Sequence, residues 1–208
     1  NVMNLVDNPH FIFNSLQSIN KYVMESVKQN ASEYLSKFSK LMRLILVNSR
    51  EQKVTLDRDL LALELYMQLE SLRFQHKFQY RIEVDPKINQ ENTLIPPLLL
   101  QPFVENSIIH GIQNKEGGVI TVKVIKEDSM IRCIIRDNGI GRQQSALNES
   151  GKRNKHESLG MKITKERLDV INEVKKTKAL VDVVDLKDAE DRPAGLKTEI
   201  VLPYEEAY

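Results

Sequence analysis

Apolar residues recur at helical spacing through the first third of the chain. From Asn8-Pro9, a capping side chain followed by a ring preset for a first turn, Ile12, Leu16, Ile19, Val23 and Val27 form one stripe. His10, Asn14, Gln17, Lys21 and Lys28 fall on the opposite face, toward water. A second helix is predicted in NASEYLSKFSKLMRLILVNSR, where Asn30 with Glu33 reads as a capping box and Tyr34, Leu35, Phe38, Leu41, Met42 and Ile45 keep the spacing. Together they make an antiparallel hairpin, and pairing with a second copy as a four-helix bundle would cover its remaining apolar face. KVTLDRDLLALELYMQLESLRFQHK predicts a third helix, capped by Thr55 or Asp57.

Near residue 77 the period becomes alternating, and FQYRIEVD places Phe78, Tyr80, Ile82 and Val84 on one face of a strand. IPPLLLQPFVENSIIHGI predicts a helix starting near Pro97, with Pro102 tolerable only close to its first turn. GVITVKVIKEDSMIRCIIRD reads as a hairpin turned at Glu127-Asp128-Ser129. Residues 142–158 almost lack apolar anchors and predict a mobile loop. LGMKITKERLDVINEV is helical again, and ALVDVVDLK and LKTEIVLP are two more strands. The fold class is α+β: a helical hairpin over 1–54, then a unit over 55–208 with a mixed sheet from about residue 78 and helices on one face.

Composition narrows the function. A net charge of +1 gives no electrostatic footprint for nucleic acid. The single cysteine, Cys133, lies in a strand pattern and reads as a buried reduced thiol, so neither a disulfide framework nor a cysteine metal cluster is available. The longest apolar run, LIPPLLLQPFV, is too short and too rich in proline to span a bilayer, and no signal peptide is evident. The abrupt start at NVMNLVD predicts a fragment of a longer chain.

Four local features carry candidate chemistry. His10 lies off the apolar stripe, where a buried structural histidine would not be; on position alone an ordinary surface residue is the simpler reading. In ENSIIHG, Glu105 and Asn106 offer oxygens to a hard cation such as Mg²⁺, and Asn106 and His110 share a helix face, with His110 able to meet phosphate. The same segment also reads as a plain helix end with Gly111 as its cap. In RDNGIG, Asp137 could accept a bond from an exocyclic amine while Gly139 and Gly141 let the backbone approach a flat ring, although Asp-Asn-Gly is also a common turn. In SLGMK, Gly160 stands at a helix start, where free N–H groups favour phosphate.

The segments NPHFIFNSL, PPLLLQPFVENSIIHG, DNGIG and SLGMKITKERL occur in this order, and over roughly residues 5–203 the chain resembles a bacterial sensor histidine kinase. The subgroup it resembles carries its phosphorylated histidine in an N-P-H-F-x-F-N motif, as in autolysin- and virulence-regulating sensors. The resemblance implies a dimerising phosphoacceptor hairpin (1–54) and an α/β-sandwich ATP-binding domain of the gyrase and MutL type (55–208). It implies ATP and Mg²⁺ as cofactors, a homodimer, a response regulator receiver domain as partner, and a cytoplasmic position at the inner membrane through a missing upstream region. His10 matches the phosphoacceptor. Glu105 matches the glutamate acting in phosphoryl transfer, Asn106 the Mg²⁺ ligand and His110 a basic position near the phosphates. Asp137 matches the adenine-reading aspartate, with Gly139 and Gly141 shaping that end; Gly160 matches the second glycine box, residues 142–158 the ATP lid, and Thr198 a water-mediated adenine contact. Asn14, one turn after His10, matches a position that assists dephosphorylation of the regulator.

The sequence departs from the subgroup's pattern at several positions. Val6 and Asp7 replace a glutamine and an apolar residue before the motif, Ser158 replaces the first glycine of the second box, and Ile163 replaces an asparagine. Phe11 follows His10 where many histidine kinases carry an acid, which leaves the general base unidentified, with Asp7 one turn away as a weak candidate. Two rivals keep the same pocket: an ATPase or nucleotide-gated machine, and a degenerate kinase acting as a dimeric interaction module.

Overall fold

The computed structural model describes residues 9–24, 28–112, 115–141 and 159–207. Helices α1 (Pro9–Met24) and α2 (Lys28–Asn48) form the predicted hairpin. Helix α1 ends at Met24, so Lys28 opens α2 rather than continuing the first helix, and Val27 lies outside the described residues. Asn30 falls inside α2, because the chain is already helical two residues before the expected cap. The stripe on α1 is rotated as well. Ser15 is fully buried, whereas Leu16 is 52% exposed and Phe13 66%. The cause lies on α2, where the Tyr34 hydroxyl donates to Ser15 Oγ at 3.5 Å and fixes which side of α1 faces inward.

A short strand, β1 (Val54–Thr55), leads into α3 (Leu56–Arg73). Thr55 is the N-cap residue of α3 but makes no side-chain capping bond; Asp57 and Asp59 fill the first turn, where negative charge suits the helix dipole. Helix α3 is buried on most of its circumference, with Ala62, Leu63, Met67 and Leu69 all in the core. It lies between the hairpin and the sheet, touching both α2 and β2 (Phe78–Val84). Strand β1 pairs with β3 (Thr93–Ile95), which pairs with β8 (Glu205–Glu206), giving a small antiparallel sheet that the periodicity did not predict.

The main sheet has five strands in the order β2-β4-β5-β7-β6, with β4 (Gly118–Glu127), β5 (Met130–Asp137), β6 (Leu180–Lys187) and β7 (Pro193–Pro203). Strand β2 runs parallel to β4 and the other pairs are antiparallel, so the sheet is mixed, as expected. Alternation sorts its two faces. Ile120, Val122 and Val124 on β4 stand opposite Asp137, Ile135 and Cys133 on β5, and these last two face Thr198 and Ile200 on β7. All of them are buried. Burying each large aliphatic side chain contributes roughly 1.5–3 kcal/mol, so this row fixes the register. The opposite face carries ion pairs such as Lys123–Glu83 and Arg132–Glu199. Cys133 is buried as expected, and burial pushes its thiol up to about 12.

Helix α4 (Gln101–Asn106) starts later than expected. Leu98 has φ 58°, a left-handed conformation that interrupts a helix from Pro97, and Pro102 then falls in the first turn where its ring is tolerated. The chain continues as a π-helical turn over Ser107–Ile112, and α5 (Leu159–Lys175) follows later.

Candidate functional site

Asp137 closes the buried row of β5 and is 1% exposed. Its carboxylate is held from three directions. The Ser107 hydroxyl donates to Oδ2 at 2.7 Å, the Gly139 N–H donates to Oδ1 at 2.8 Å, and the Leu196 N–H donates to Oδ1 at 3.2 Å. Burial raises the carboxyl above its ordinary range, and these bonds, Ser107's first, oppose that rise. A carboxylate offers about four lone-pair sites, so three donors leave one acceptor position on Oδ2. A polar group at the end of an apolar row, oriented by the backbone and left with one free lone pair, is suited to receiving a donor on a flat ligand.

The surrounding backbone has room for nothing larger than hydrogen. A Cβ on Gly139 would lie 2.4 Å from the Gly111 carbonyl oxygen, and one on Gly111 would lie 3.1 Å from Asp137 Oδ1. Gly141 has φ +71°, which glycine adopts without strain. The π-helical turn brings Gly111 into this contact, and its carbonyl accepts the Ile140 N–H at 3.2 Å. Gly111 therefore lies within the helical turn and is not its cap. The widened turn also changes the α-helical alignment expected for Asn106 and His110. Asn138 ties the loop to β4: its Oδ1 accepts the Val119 N–H at 2.8 Å.

The remaining candidates lie on other elements, and the three bonds to Asp137 come from none of them. Thr198 is buried on β7, two residues from Leu196 and so on the same face. Asn106 and His110 are half-buried on α4 and the π-helical turn. Glu105 is half-buried and accepts a bond from Gln101 Nε2 at 3.3 Å. Its carboxyl is pushed up to about 8, by burial first and then by the charge of Glu70 on α3. Gly160 stands in the first turn of α5. His10 is the second residue of α1, and Asn14 is half-buried one turn on, its carbonyl accepting the Ser18 hydroxyl at 2.9 Å. The expected lid, 142–158, with Ser158, and Val6 and Asp7 lie outside the described residues.

Sequence reading missed Ser107, the close packing of Gly111, and the β7 contribution from Leu196. Ser107 had a signal: one small hydroxyl inside an otherwise apolar helical run. Leu196 contributes only its backbone, and no side-chain pattern reports that. Among the described residues, no group of three or more His, Cys, Asp or Glu side chains could hold a metal ion. A cation here would rest on one amide oxygen together with ligand oxygens, which suits Mg²⁺, an ion that is bound by few protein groups and shares its shell with phosphate and water.

Residues 7–78 match the histidine kinase family. Over 199 residues the chain is 33% identical to the sensor histidine kinase/phosphatase LytS of Staphylococcus aureus, an alignment covering 95% of this chain and 33% of that protein. The chain thus spans about a third of the length of the curated relatives it matches. Among solved structures it is similar to the mycobacterial sensor histidine kinase MprB, with TM-score 0.48, 19% identity, and coverage of 74% of this chain and 97% of that one. It is also similar to the histidine kinase domain of a blue-light activated kinase from Erythrobacter litoralis, with TM-score 0.48, 12% identity, and coverage of 91% and 93%.

Proposed function

The chain belongs to the histidine kinase family, and from that premise we propose that it is the catalytic portion of a two-component sensor, phosphorylating its own His10 from ATP. The phosphoryl group then passes to an aspartate on a response regulator receiver domain. The observation that carries the reading is the Asp137 carboxylate, locked by three donors among glycines with one lone pair left for the adenine amine.

In the proposed reaction an imidazole nitrogen of His10 attacks the γ-phosphorus. The bond to the β–γ bridging oxygen breaks, ADP leaves with its electron pair, and the other ring nitrogen gives up its proton. A neutral imidazole nitrogen carries the lone pair that this attack needs. Asp137 accepts the adenine amine, Gly139 and Gly141 admit the ring, and Thr198 reaches it through water. Asn106 would hold Mg²⁺, which supplies charge neutralisation on the β- and γ-phosphates. His110 and the first turn of α5, with Gly160, meet phosphate oxygens. Glu105 acts in the transfer, and Asn14 positions a water for regulator dephosphorylation, in line with the paired kinase/phosphatase name of the relative.

The division into a phosphoacceptor hairpin (1–54) and an ATP-binding unit (55–208) belongs to the same proposal, as does a homodimer formed through the exposed apolar residues Phe13, Leu16, Leu35, Leu46 and Val47. Among the described residues no helix is long and apolar enough to cross a membrane. Membrane attachment would come from regions the relatives have beyond this match. The test is chemical. Incubation with radiolabelled Mg-ATP should give a phosphoramidate label that survives alkali and is lost in acid. His10→Gln should remove it while ATP still binds; a label that persists in that variant overturns the assignment.

A further inference from the structure

One peptide unit of the loop before α4 is gripped on both edges by charged side chains from different helices. The Leu98 N–H donates to Asp59 Oδ1 at 2.7 Å, and the Pro97 carbonyl accepts Arg167 Nη1 at 3.0 Å. These are the N–H and C=O of a single peptide plane, which point in opposite directions. Asp59 lies on α3 and is 3% exposed; Arg167 is half-buried on α5. Leu98 is 2% exposed and held at φ 58°, a region an L-residue with a branched side chain rarely occupies. The plane cannot rotate out of this strained pose without breaking both bonds.

We propose that Asp59 and Arg167 are positioning residues for Mg-ATP, setting through the Pro97–Leu98 peptide the spacing between Asn106 on α4 and the phosphate-binding first turn of α5. The proposal rests on the nucleotide reading above. Helix α4 begins three residues after Leu98. Arg167 lies seven residues beyond Gly160 on α5, two turns along nearly the same face, roughly 10 Å down the axis. The clamp thus connects the loop that leads into α4, the carrier of the proposed Mg²⁺ ligand, to α5, the carrier of the second glycine box. Holding the loop needs no charge: Leu98, Leu99 and Leu100 are all buried in the core. A buried carboxylate and a half-buried guanidinium on one peptide are a costly way to pack a loop, and they are suited to fixing a geometry. The pair also stands apart from the adenine contacts, none of which involves α3 or α5 among the bonds to Asp137.

The expected signature is a split between two ligands, measured on the full chain by titration calorimetry. Arg167→Met keeps the apolar stem and removes the donor. Affinity for Mg-AMPPNP, a non-hydrolysable ATP analogue, should fall by about tenfold, the size of effect that residues without ligand contact transmit to a site. Affinity for adenosine, which has no phosphate, should stay at the wild-type value. Arg167→Lys retains one donor and should recover part of the loss. Equal affinity of the Met variant and wild type for Mg-AMPPNP overturns the clamp, and so does a parallel loss for both ligands, which marks a structural role only. If Arg167→Met does not fold, Arg167→Lys carries the test, with the same split at smaller size expected and wild-type values overturning the proposal. A wild-type chain that binds neither ligand overturns the nucleotide reading and the clamp together, whereas loss confined to the variants' Mg-AMPPNP affinity supports both.

Discussion

The Ser107 hydroxyl donates to Asp137 Oδ2 at 2.7 Å across 30 positions of sequence, while two backbone N–H groups occupy Oδ1. The two carboxylate oxygens are therefore different. Asp137→Asn can keep an oxygen at the Oδ1 position, and Ser107 can turn its hydroxyl to accept from the new NH₂. The outward-facing group changes from acceptor to donor. ATP affinity should fall at least tenfold, the equivalent of about 1.5–3 kcal/mol, with the fold intact. Inosine triphosphate, which presents a carbonyl where adenine has its amine, should lose much less. Competition binding with the two nucleotides checks this, and an equal loss for both would remove Asp137 from base recognition.

Gly139 tests the close approach of the loop to the π-helical turn. A methyl there meets the Gly111 carbonyl oxygen at 2.4 Å, a contact with backbone that no rotamer change relieves. Gly139→Ala should cost roughly 1–3 kcal/mol of stability, as overpacking of a closed site does. It should also reduce ATP binding beyond that, because the Gly139 N–H to Asp137 bond moves with the loop. Thermal unfolding and nucleotide titration read the two effects separately. A variant with wild-type values in both would show that the loop has slack.

Asp59 gives the protein a pH signature. Burial raises its carboxyl to about 6, opposed by the Leu98 N–H and by Arg167, with the Cys133 thiol also near. The folded state then holds this proton more tightly than the unfolded chain, whose Asp has its ordinary value of 3.8. The associated stability is fully present below about pH 4 and is lost as pH rises through about 6, on the order of 3 kcal/mol in all. Asp59→Asn has no such proton. Denaturant unfolding of both proteins at several pH values should show the variant gaining on wild type between pH 4 and 6. A difference that stays constant with pH would mean that Asp59 titrates as it does in water.

Long periodic segments were legible because each side chain there reports its own burial. The alternation in β4 and β5 put Asp137 at the end of an apolar row, and the glycines beside it were visible as glycines. Strands β1, β3 and β8 were not legible, since two or three residues are too few for a period to register. The start of α4 was misplaced because the left-handed Leu98 is imposed by Asp59, 39 positions away in the sequence. The inward side of α1 was misjudged for a similar reason. Leu16 fits an apolar stripe and Ser15 does not, yet the Tyr34 hydroxyl buries the serine. Periodicity finds an apolar side without saying whether the same chain or a second copy covers it.

Leu16 turns that ambiguity into a prediction. Phe13 and Leu16 are exposed three residues apart on α1, and Leu35, Leu46 and Val47 are exposed on α2. Water does not favour such a surface on an isolated hairpin, and burying it against a second copy returns roughly 25 cal/mol for every Å² covered. Leu16→Glu places a charge where that contact would form, while the folded monomer loses little because the side chain is already half in solvent. Sedimentation equilibrium should show the wild type as a dimer and Leu16→Glu as a helical monomer, with unchanged far-UV circular dichroism per residue. Gln17→Glu introduces the same charge at the neighbouring exposed position and should remain dimeric. A Leu16→Glu protein that still sediments as a dimer would place the subunit contact elsewhere on the molecule.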